Sequence, residues 1–344
     1  MNSKINKMRR GLVAGLLVSV ASTAMPAIGW SEEVHKWRAV ALHRNGEGIK
    51  KWDWLQQQLP ARTNGKIELE VVTAQEMGLS GTEVSRLLRS GVFHIAEATT
   101  TYIAGDFPMI EATELPGVVR SYENGREIVQ AWSDNVVKSA NDQVGGQVIG
   151  NFAWSSGFLY TKFPVESLDD LKGKKIRVFS PSLAAYVEAL GAEPISMPVS
   201  EVYGALQRGL MDGVLTGTDQ INAMKMWEIA PHLTDVRLAP TSGYVIVSQK
   251  HWDALSDELK AVVAELGKEM TELGWKLGAD NDEIGMKAAR DNNMTIKVPA
   301  PAEWNDQFVK IASESIVPWW TGRVGGDSAE KYKQFIGPVS GVSQ

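Results

Sequence analysis

Short apolar segments alternate with amphipathic segments along the first half of the chain, and this rhythm limits the folds that the chain can adopt. Strands are predicted over 37–42, 66–72 and 93–96, and helices over 49–59 and 83–88. This alternation is typical of βαβ units, which place the strands in a largely parallel sheet with right-handed crossovers. Ligands of such sheets bind beyond the carboxyl ends of the strands. The sequence therefore predicts an α/β protein with a binding site at the edge of a sheet.

Length and composition favour a globular protein with two lobes of ordinary size. The chain has 344 residues, 44% of them hydrophobic and 22% charged. That length exceeds one average domain, and that composition is neither disordered nor membrane-embedded. The net charge of −6, without a basic cluster, argues against nucleic acid as a partner.

The N-terminus is typical of a secretory signal. Basic residues precede a short apolar run over 11–20, and small residues near Ala24 and Gly29 offer cleavage sites. An uncleaved anchor is the alternative, but the apolar run is short for a bilayer span. The absence of cysteine removes disulfides and thiol chemistry, and a chain of this size can fold without them. We therefore predict a signal peptide over 1–29, cleaved on export to the periplasm.

A strand near the middle of the chain carries a candidate ligand-binding cation. Over 174–178, Arg177 alternates with Ile176 and Val178. If the two apolar side chains face the core, the arginine projects from the other face of the sheet. Its guanidinium is a planar fork of donors that matches a carboxylate, so Arg177 is suited to bind an organic acid. An ordinary surface ion pair is the alternative.

A helical segment follows over 200–213, with apolar residues at helical spacing and two glycines that end it. The apolar positions are Val202, Leu206 and Leu210. Together with the arginine strand, this segment resembles the solute-binding proteins of TRAP (tripartite ATP-independent periplasmic) transporters, the DctP-like family. The resemblance extends over nearly all of the chain after the signal and is most specific over 168–212. It implies a periplasmic receptor rather than an enzyme, with Arg177 holding the ligand carboxylate.

The resemblance also implies an architecture. It is an α/β, two-lobed periplasmic binding protein fold with interleaved lobes, mixed sheets, a hinge and a long helix that spans both lobes. A proline-free helical pattern over 257–291, weakened by glycines, is similar to that helix. We expect 30–152 and 243–275 to form lobe one, and 153–242 and 276–344 to form lobe two. Repeated crossovers between the lobes would make a hinge that closes around a ligand.

Three candidate ligand contacts lie near strand ends of the expected second lobe. Trp154 follows a strand over 147–153 and lines the cleft, unless it packs in the core as a lone tryptophan usually does. Thr216 and Asp219 follow a strand over 212–215, where relatives in the resembling family place a polar ligand contact. A threonine hydroxyl suits a hydrogen bond to an acid. Asp219 suits a helix cap equally well.

Three further candidates lie in turns of the expected first lobe. Asn45 follows the first predicted strand, and Glu97 and Thr99 follow the third. Each is placed for a ligand contact at a strand end, and each is also a residue type that stabilises turns.

The arginine count bears on the ligand. Parts of the resembling family have a second arginine upstream of the strand arginine, whereas the corresponding stretch here, 154–160, has none. One arginine beside tryptophan and tyrosine favours a monocarboxylate, of the 2-oxo, 2-hydroxy or aromatic kind. Arg44 is the remaining candidate for a second cation that binds a ligand carboxylate.

The sequence contains no recognisable motif for metal binding, phosphate binding or nucleophilic catalysis. The five histidines are scattered, with no HExxH motif, and there is no GxSxG motif or lysine-bearing phosphate loop. We expect no metal, no cofactor and no catalytic residue. A periplasmic enzyme using Glu97 or Asp219 as a base, and a sensor-type binding protein of the same fold, stay open as alternatives. The expected partners are a small-molecule carboxylate and the TRAP membrane subunits, and the expected state is a monomer.

Overall fold

A computed structural model describes residues 34–44, 47–197 and 199–342. Asn45 and the predicted signal peptide lie outside the described residues. The strands form two sheets. They are β1 (His35–Ala41), β2 (Ile67–Thr73), β3 (Ile95–Thr99), β4 (Gly146–Ala153), β5 (Gly157–Thr161), β6 (Lys175–Val178), β7 (Glu193–Ser196), β8 (Gly213–Gly217), β9 (His232–Thr234), β10 (Ser242–Ser248) and β11 (Thr295–Lys297).

Helices cover the sheets and connect the strands. They are α1 (Lys50–Arg62), α2 (Ala74–Met77), α3 (Gly81–Arg89), α4 (Thr100–Ile103), α5 (Tyr122–Asn135), α6 (Asn141–Val144), α7 (Pro181–Ala189), α8 (Val199–Gln207), α9 (Gln220–Ala223), α10 (Met226–Ile229), α11 (Gln249–Asp253), α12 (Asp257–Asp291), α13 (Asn305–Ile311), α14 (Val317–Val324), α15 (Ser328–Lys331) and α16 (Gly337–Ser340). Short 3-10 segments lie at Glu47–Ile49 and Pro108–Glu114, among others, and π turns lie at Ala312–Ile316 and Tyr332–Ile336.

Serine caps set the start of several helices. The hydroxyl of Ser80 accepts from the backbone of Glu83, whose carboxylate in turn accepts from the Ser80 backbone, so α3 begins with a capping box. Ser180 caps α7 and Ser256 caps α12 in the simpler one-sided way.

The first sheet has the strand order β2-β1-β3-β10-β4. β1 pairs in parallel with β2 and β3, whereas β10 pairs antiparallel with both β3 and β4. Successive residues of β1 lie in different apolar clusters, Ala39 in one and Val40 in another. The sheet is therefore packed on both faces, as expected for a sheet flanked by helices.

The second sheet has the order β11-β9-β5-β8-β6-β7. β6 lies between β7 and β8 and is parallel to both, while β5 is antiparallel to β8 and β9. Both sheets are thus mixed but largely parallel, because among the described strands β10 is the one reversed strand of the first sheet and β5 that of the second. The expectation of a largely parallel sheet from the βαβ rhythm is confirmed. The rhythm did not indicate the two reversals, because β5 is short and β10 inserts between strands distant in sequence.

The chain passes between the sheets three times within the described ranges. It leaves the first sheet after β4, returns at β10, and enters the second sheet again at β11. The last passage is made by α12, a continuous helix of 35 residues that packs along β4 and against α9. Several connections therefore join the two sheets, which is the arrangement expected of a hinge.

The glycines of α12 are sites of close approach. A Cβ on Gly267 would lie 2.2 Å from the carbonyl oxygen of Ile149, and one on Gly285 would lie 2.4 Å from that of Thr218. Ile149 belongs to the first sheet and Thr218 follows the last residue of β8 in the second. The glycines thus weaken the helix locally while letting it touch the backbone of both sheet regions.

The C-terminal region is more helical than its pattern indicates. The segment that follows β11 begins with a 3-10 turn at Ala302–Trp304, becomes α13, and passes through a π turn into α14. The pattern also missed α5. Pro318 stands near the start of α14, where a missing N–H is tolerated, so the helical path continues through it.

Substitution of Gly267 by alanine tests the close approach. We expect Gly267→Ala to lower the free energy of unfolding by about 1–3 kcal/mol, because the new methyl group collides with backbone. Gly322→Ala in α14 is the matched control, since its Cβ would meet nothing within 4 Å, and alanine there should stabilise by about 0.4–1 kcal/mol. Urea unfolding measures both. Equal stability of the two variants would contradict the packing described for α12.

Candidate functional site

Arg177 is buried inside the second sheet. It lies on β6 with a relative exposure of 4%, between Ile176 and Val178, which are equally buried. Its Nε donates to the carbonyl oxygen of Met197 at 3.0 Å and its Nη1 to that of Leu215 at 3.2 Å. These bonds fix the guanidinium between the ends of β7 and β8. They use two of its five N–H donors and leave the others available.

The Arg177 charge has no counterion among the residues that the structure describes. Burial alone lowers the pKa of its guanidinium to about 10, with no carboxylate opposing the shift. The ring of Phe179 lies 5.2 Å from the guanidinium carbon and gives a weak cation–π contact. A buried charge without an ionic partner costs several kcal/mol. Among the described residues, Arg177 is therefore a buried cation without an anionic partner.

A small cavity lies near this cation, between the ends of the two sheets; Arg177 itself does not line it, but Phe179, whose ring contacts the guanidinium, does. Its volume is about 20 Å³, room for one water molecule rather than an organic acid. Residues at the ends of β6 and β8 line one side, and residues that precede β10 line the other. They include Phe179, Ser180, Thr216, Gly217, Glu114 and Thr241. A ligand of any size would require these two walls to separate.

Thr216 lies where the sequence places a polar contact. It is 6% exposed, lines the cavity, and follows Leu215, the residue whose carbonyl accepts from Arg177. The structure thus places Thr216 on a cavity wall and Arg177 close behind it, bonded to the carbonyl oxygen of the preceding residue. The tight packing around β8 supports this position, since a Cβ on Gly213 would lie 2.8 Å from the carbonyl oxygen of Tyr160.

A second polar cluster lies at the end of the first sheet. The Nζ of Lys51 lies 2.8 Å from Oε2 of Glu97, and both side chains are almost fully buried. The indole of Trp52 donates to the same oxygen at 2.8 Å, and the backbone N–H of Leu42 donates to Oε1. Lys51 also donates to the carbonyl of Gly48 at 2.9 Å. Glu97 is therefore fully engaged within the protein.

Trp154 closes this cluster. The Lys51 ammonium lies 4.8 Å from the Trp154 ring and 4.3 Å from the Phe152 ring. The half-buried indole also packs against His43, with ring centroids 6.1 Å apart, and a Cβ on Gly48 would meet it at 2.4 Å. Trp154 is thus a packing partner of the Lys51–Glu97 pair at the point where the chain passes between the sheets.

The remaining candidates occupy different surroundings. Thr99 is 5% exposed and its hydroxyl has no hydrogen-bond partner among the described residues. Asp219 accepts from the hydroxyl of Ser155 at 2.8 Å. It stands at the start of α9 without a capping bond from its side chain, so the helix-cap alternative is wrong.

The long helix α12, which connects the two sheets, carries a buried carboxylate near the strand ends of the second sheet. Asp282, on α12, accepts from the backbone and the hydroxyl of Ser156 and from the hydroxyl of Thr218. Burial raises the pKa of Asp282 above its usual range, while these hydrogen bonds oppose the rise. The long helix is thereby tied to the strand ends of the second sheet.

Sequence reasoning missed two charged residues, Lys51 and Glu114. Lys51 repeats at helical spacing with the buried Leu55 and Leu59 of α1, so the pattern itself placed a lysine on an apolar face. Glu114 ends the 3-10 segment between α4 and α5, and no periodic signal marks it.

Comparison with known proteins identifies the family. The model of the bacterial extracellular solute-binding proteins, family 7 (DctP) matches residues 41–316, well over half of the chain. The chain belongs to this family. The resemblance to TRAP solute-binding proteins noted from the sequence is thereby confirmed.

Individual relatives of the family are distant. A solute-binding protein of Sulfitobacter sp. (strain NAS-14.1) is 26% identical over 77% of this chain and 80% of its own length. The C4-dicarboxylate-binding periplasmic protein DctP of Rhodobacter capsulatus is 27% identical over 66% of this chain and 68% of its own. DctP7 of Bordetella pertussis, an extracytoplasmic receptor binding pyroglutamic acid, superposes with a TM-score of 0.77 at 21% identity, over 88% of this chain and 99% of that one.

These comparisons confirm the predicted fold class, an α/β, two-lobed architecture with mixed sheets. Proteins of this family are extracytoplasmic substrate-binding receptors of transporters rather than enzymes. Across the described ranges, every helix falls short of the length or apolarity needed to cross a bilayer. The lobe boundaries drawn from the sequence stay a prediction.

Removal of one partner tests the Lys51–Glu97 pair. We expect Lys51→Met to lower the free energy of unfolding by about 3–5 kcal/mol, because it leaves the Glu97 carboxylate buried without its cation. Lys50→Met is the matched control. The neighbouring Lys50 forms a pair with Glu47 at 57% exposure, and such pairs contribute about 0–1 kcal/mol. Chemical denaturation compares the two. Similar small losses in both variants would show that the buried pair is dispensable for stability.

Proposed function

We propose that this family member captures an organic acid by its carboxylate at Arg177 and delivers it to TRAP membrane subunits. The observation that carries the proposal is the buried guanidinium, which has free donors and no anionic partner among the described residues. A carboxylate placed there would complete the hydrogen bonds and neutralise the charge. Thr216 would contact the acid from the same wall of the cavity.

Capture would require movement of the two lobes. The cavity near Arg177 has room for about one water molecule, so an organic acid would enter only when the walls separate. Reclosure would exclude water from the ion pair, and a charge pair is stronger when it is shielded from water. The chain passages next to Trp154 and Asp282 are the proposed hinge, since they join the sheets beside the cavity.

The arrangement of cations favours a monocarboxylate. Arg44, the sequence-based candidate for a second clamp, pairs at the surface with Glu76 at 3.0 Å. Lys51 is held by Glu97. Of the three cations considered for the site, only Arg177 thus keeps its charge unpaired. The ring of Phe179, which lines the cavity, suits an apolar or aromatic body, as in a 2-oxo, 2-hydroxy or aromatic acid.

The enzyme alternative gains no support from the site. Glu97 is engaged by three donors and is buried, and Asp219 is exposed and bound to Ser155. A general base must reach the proton it abstracts, and neither carboxylate is among the residues that line the cavity.

Substitution of the arginine tests the clamp. We expect Arg177→Ala to fold but to lose nearly all acid binding, because truncating one partner of a buried charge pair costs about 2–5 kcal/mol. Arg177→Lys should recover little, since an ammonium lacks the planar fork. Arg44→Ala, in a surface pair, is the control and should bind normally. Calorimetric titration against a panel of pyroglutamate, lactate, 2-oxo acids, aromatic acids and C4 dicarboxylates measures each affinity. Failure of the wild type to bind any panel acid would contradict the proposed function.

The ligand class is tested by direct competition within that panel. A monocarboxylate should bind at least about 30-fold more tightly than succinate, because a second carboxylate would be buried unpaired at a cost of about 2 kcal/mol or more. Parallel titrations at one pH and ionic strength give the ratio. Tighter binding of succinate would mean that Arg44 or Lys51 leaves its present partner to clamp the second carboxylate.

A further inference from the structure

Glu114 is a carboxyl group that the site described above does not use. It ends the 3-10 segment Pro108–Glu114 and lines the same cavity as Phe179, Ser180 and Thr216. It contacts the first residue of β10 in the first sheet, whereas Phe179 and Ser180, which also line the cavity, follow the Arg177 strand of the second sheet. The cavity is thus lined by the Glu114 carboxyl group on one side and, on the other, by Phe179, whose ring contacts the Arg177 guanidinium.

The partners of Glu114 are uncharged. The backbone N–H of Ser242 donates to its Oε1 at 2.7 Å and the Ser242 hydroxyl donates at 2.9 Å, while the Thr100 hydroxyl also contacts the carboxyl group. No lysine, arginine or histidine of the described ranges forms an ion pair with it. The carboxyl group is therefore sheltered from bulk water without a neutralising cation, and a proton is the simplest way to neutralise it.

The charged and titratable groups that face Glu114 do not reverse this conclusion. Glu111, on the same segment, adds a negative charge, although it is itself paired with Arg323 of α14. Tyr244 of β10 has its pKa raised by burial and stays neutral. Arg177 stays charged across the cavity. Burial raises the pKa of Glu114 to about 7, against the opposing effect of the hydrogen bonds from Ser242 and Thr100.

A ligand carboxylate at Arg177 would change this balance. It would neutralise the guanidinium and bring a second negative charge to the cavity that Glu114 lines. A like charge nearby favours the protonated form of a carboxyl group. A protonated Glu114 can in turn donate a hydrogen bond to an oxygen of the ligand, which an ionised carboxylate cannot do.

We propose that Glu114 is a specificity-determining residue that binds in its protonated form, so that the receptor takes up a proton together with its acid. This rests on the proposed function, since the acid is taken to bind at Arg177. The preferred ligand then has an acceptor oxygen, such as a 2-oxo, 2-hydroxy or ring carbonyl oxygen, on the side away from its carboxylate. Neutral Glu114 donates to that oxygen from the opposite wall of the cavity.

The sign of the pH dependence follows from proton uptake. If the complex holds one more proton than the free protein, affinity rises as the pH falls through the window between their two pKa values. The free carboxyl titrates near 7 and the complex above that. Affinity should therefore be highest below pH 7 and should fall by about tenfold or more between pH 6 and pH 9. The carboxylate of a monocarboxylate ligand stays ionised over this range.

The experiment measures affinity and proton uptake in the full-length protein. The probe is the monocarboxylate of the panel above that binds the wild type most tightly, titrated at pH 6, 7, 8 and 9. At pH 8, calorimetry in two buffers of different ionisation enthalpy counts the protons taken up. Glu114→Gln, which stays neutral and keeps an N–H donor, should bind equally at pH 6 and pH 9. Glu111→Gln is the matched control. It removes another buried glutamate that does not line the cavity. Affinity of this variant should still rise as the pH falls, with the window moved only to slightly lower pH because the Glu111 charge no longer acts on Glu114.

The outcomes separate this inference from the proposed function. Wild-type binding that neither changes with pH nor takes up a proton would overturn the role of Glu114 while leaving Arg177 in place. That role is also overturned if Glu114→Gln keeps the wild-type slope, since the proton would then bind elsewhere, for example at Asp282. If Glu114→Gln does not fold, the proton count on the wild type decides, and a count of zero overturns the inference. Absence of binding to every acid from pH 6 to pH 9 would contradict both proposals.

Discussion

Arg177 carries a positive charge into the second sheet without a carboxylate of its own among the described residues. Two backbone carbonyls hold the guanidinium in place, and burial lowers its pKa. An arginine so placed costs stability in the free protein, because its hydration is lost before any anion replaces it. The organisation of the surrounding strands is understandable if this cost is recovered on ligand binding. Under the proposed function, the site would be stabilised when an acid is bound, and this would favour closure of the lobes.

The first sheet also contains a buried cation, but there a carboxylate of the protein neutralises it. Lys51 and Glu97 neutralise each other, and Trp52, Phe152 and Trp154 enclose the pair. This pair leaves no charge free for a ligand. The two sheet ends therefore differ in chemistry, with a satisfied pair on one side and an unsatisfied cation on the other. The selectivity proposed for monocarboxylates depends on that difference more than on the shape of the cavity.

Movement between the sheets is constrained by the backbone contacts of α12. Gly267 and Gly285 let one helix lie against the backbone near both sheets, and Asp282 ties it to the loops at the ends of β4 and β8. A helix in such contact with both regions couples them. Opening of the cavity would therefore require backbone changes at a few residues that link the two sheets. Trp154 and Ser155 are at that passage. Their role in the proposed mechanism is to position the hinge, whereas Arg177, Thr216 and Glu114 face the ligand.

The sequence by itself determined the features that depend on local pattern. The alternation around Arg177, the strand end at Thr216 and the helical period over 257–291 are local, and the structure places each of them where the pattern predicts. The tertiary structure decided which residues of distant segments contact each other. Glu114 meets Ser242 across 128 residues of sequence, and Lys51 meets Glu97 only because α1 packs on the first sheet, which contains β3. Whether a buried charge has a partner is set by strand order and by the antiparallel insertion of β10. These follow from the topology of the whole chain, and residue spacing within any one segment carries no information about them.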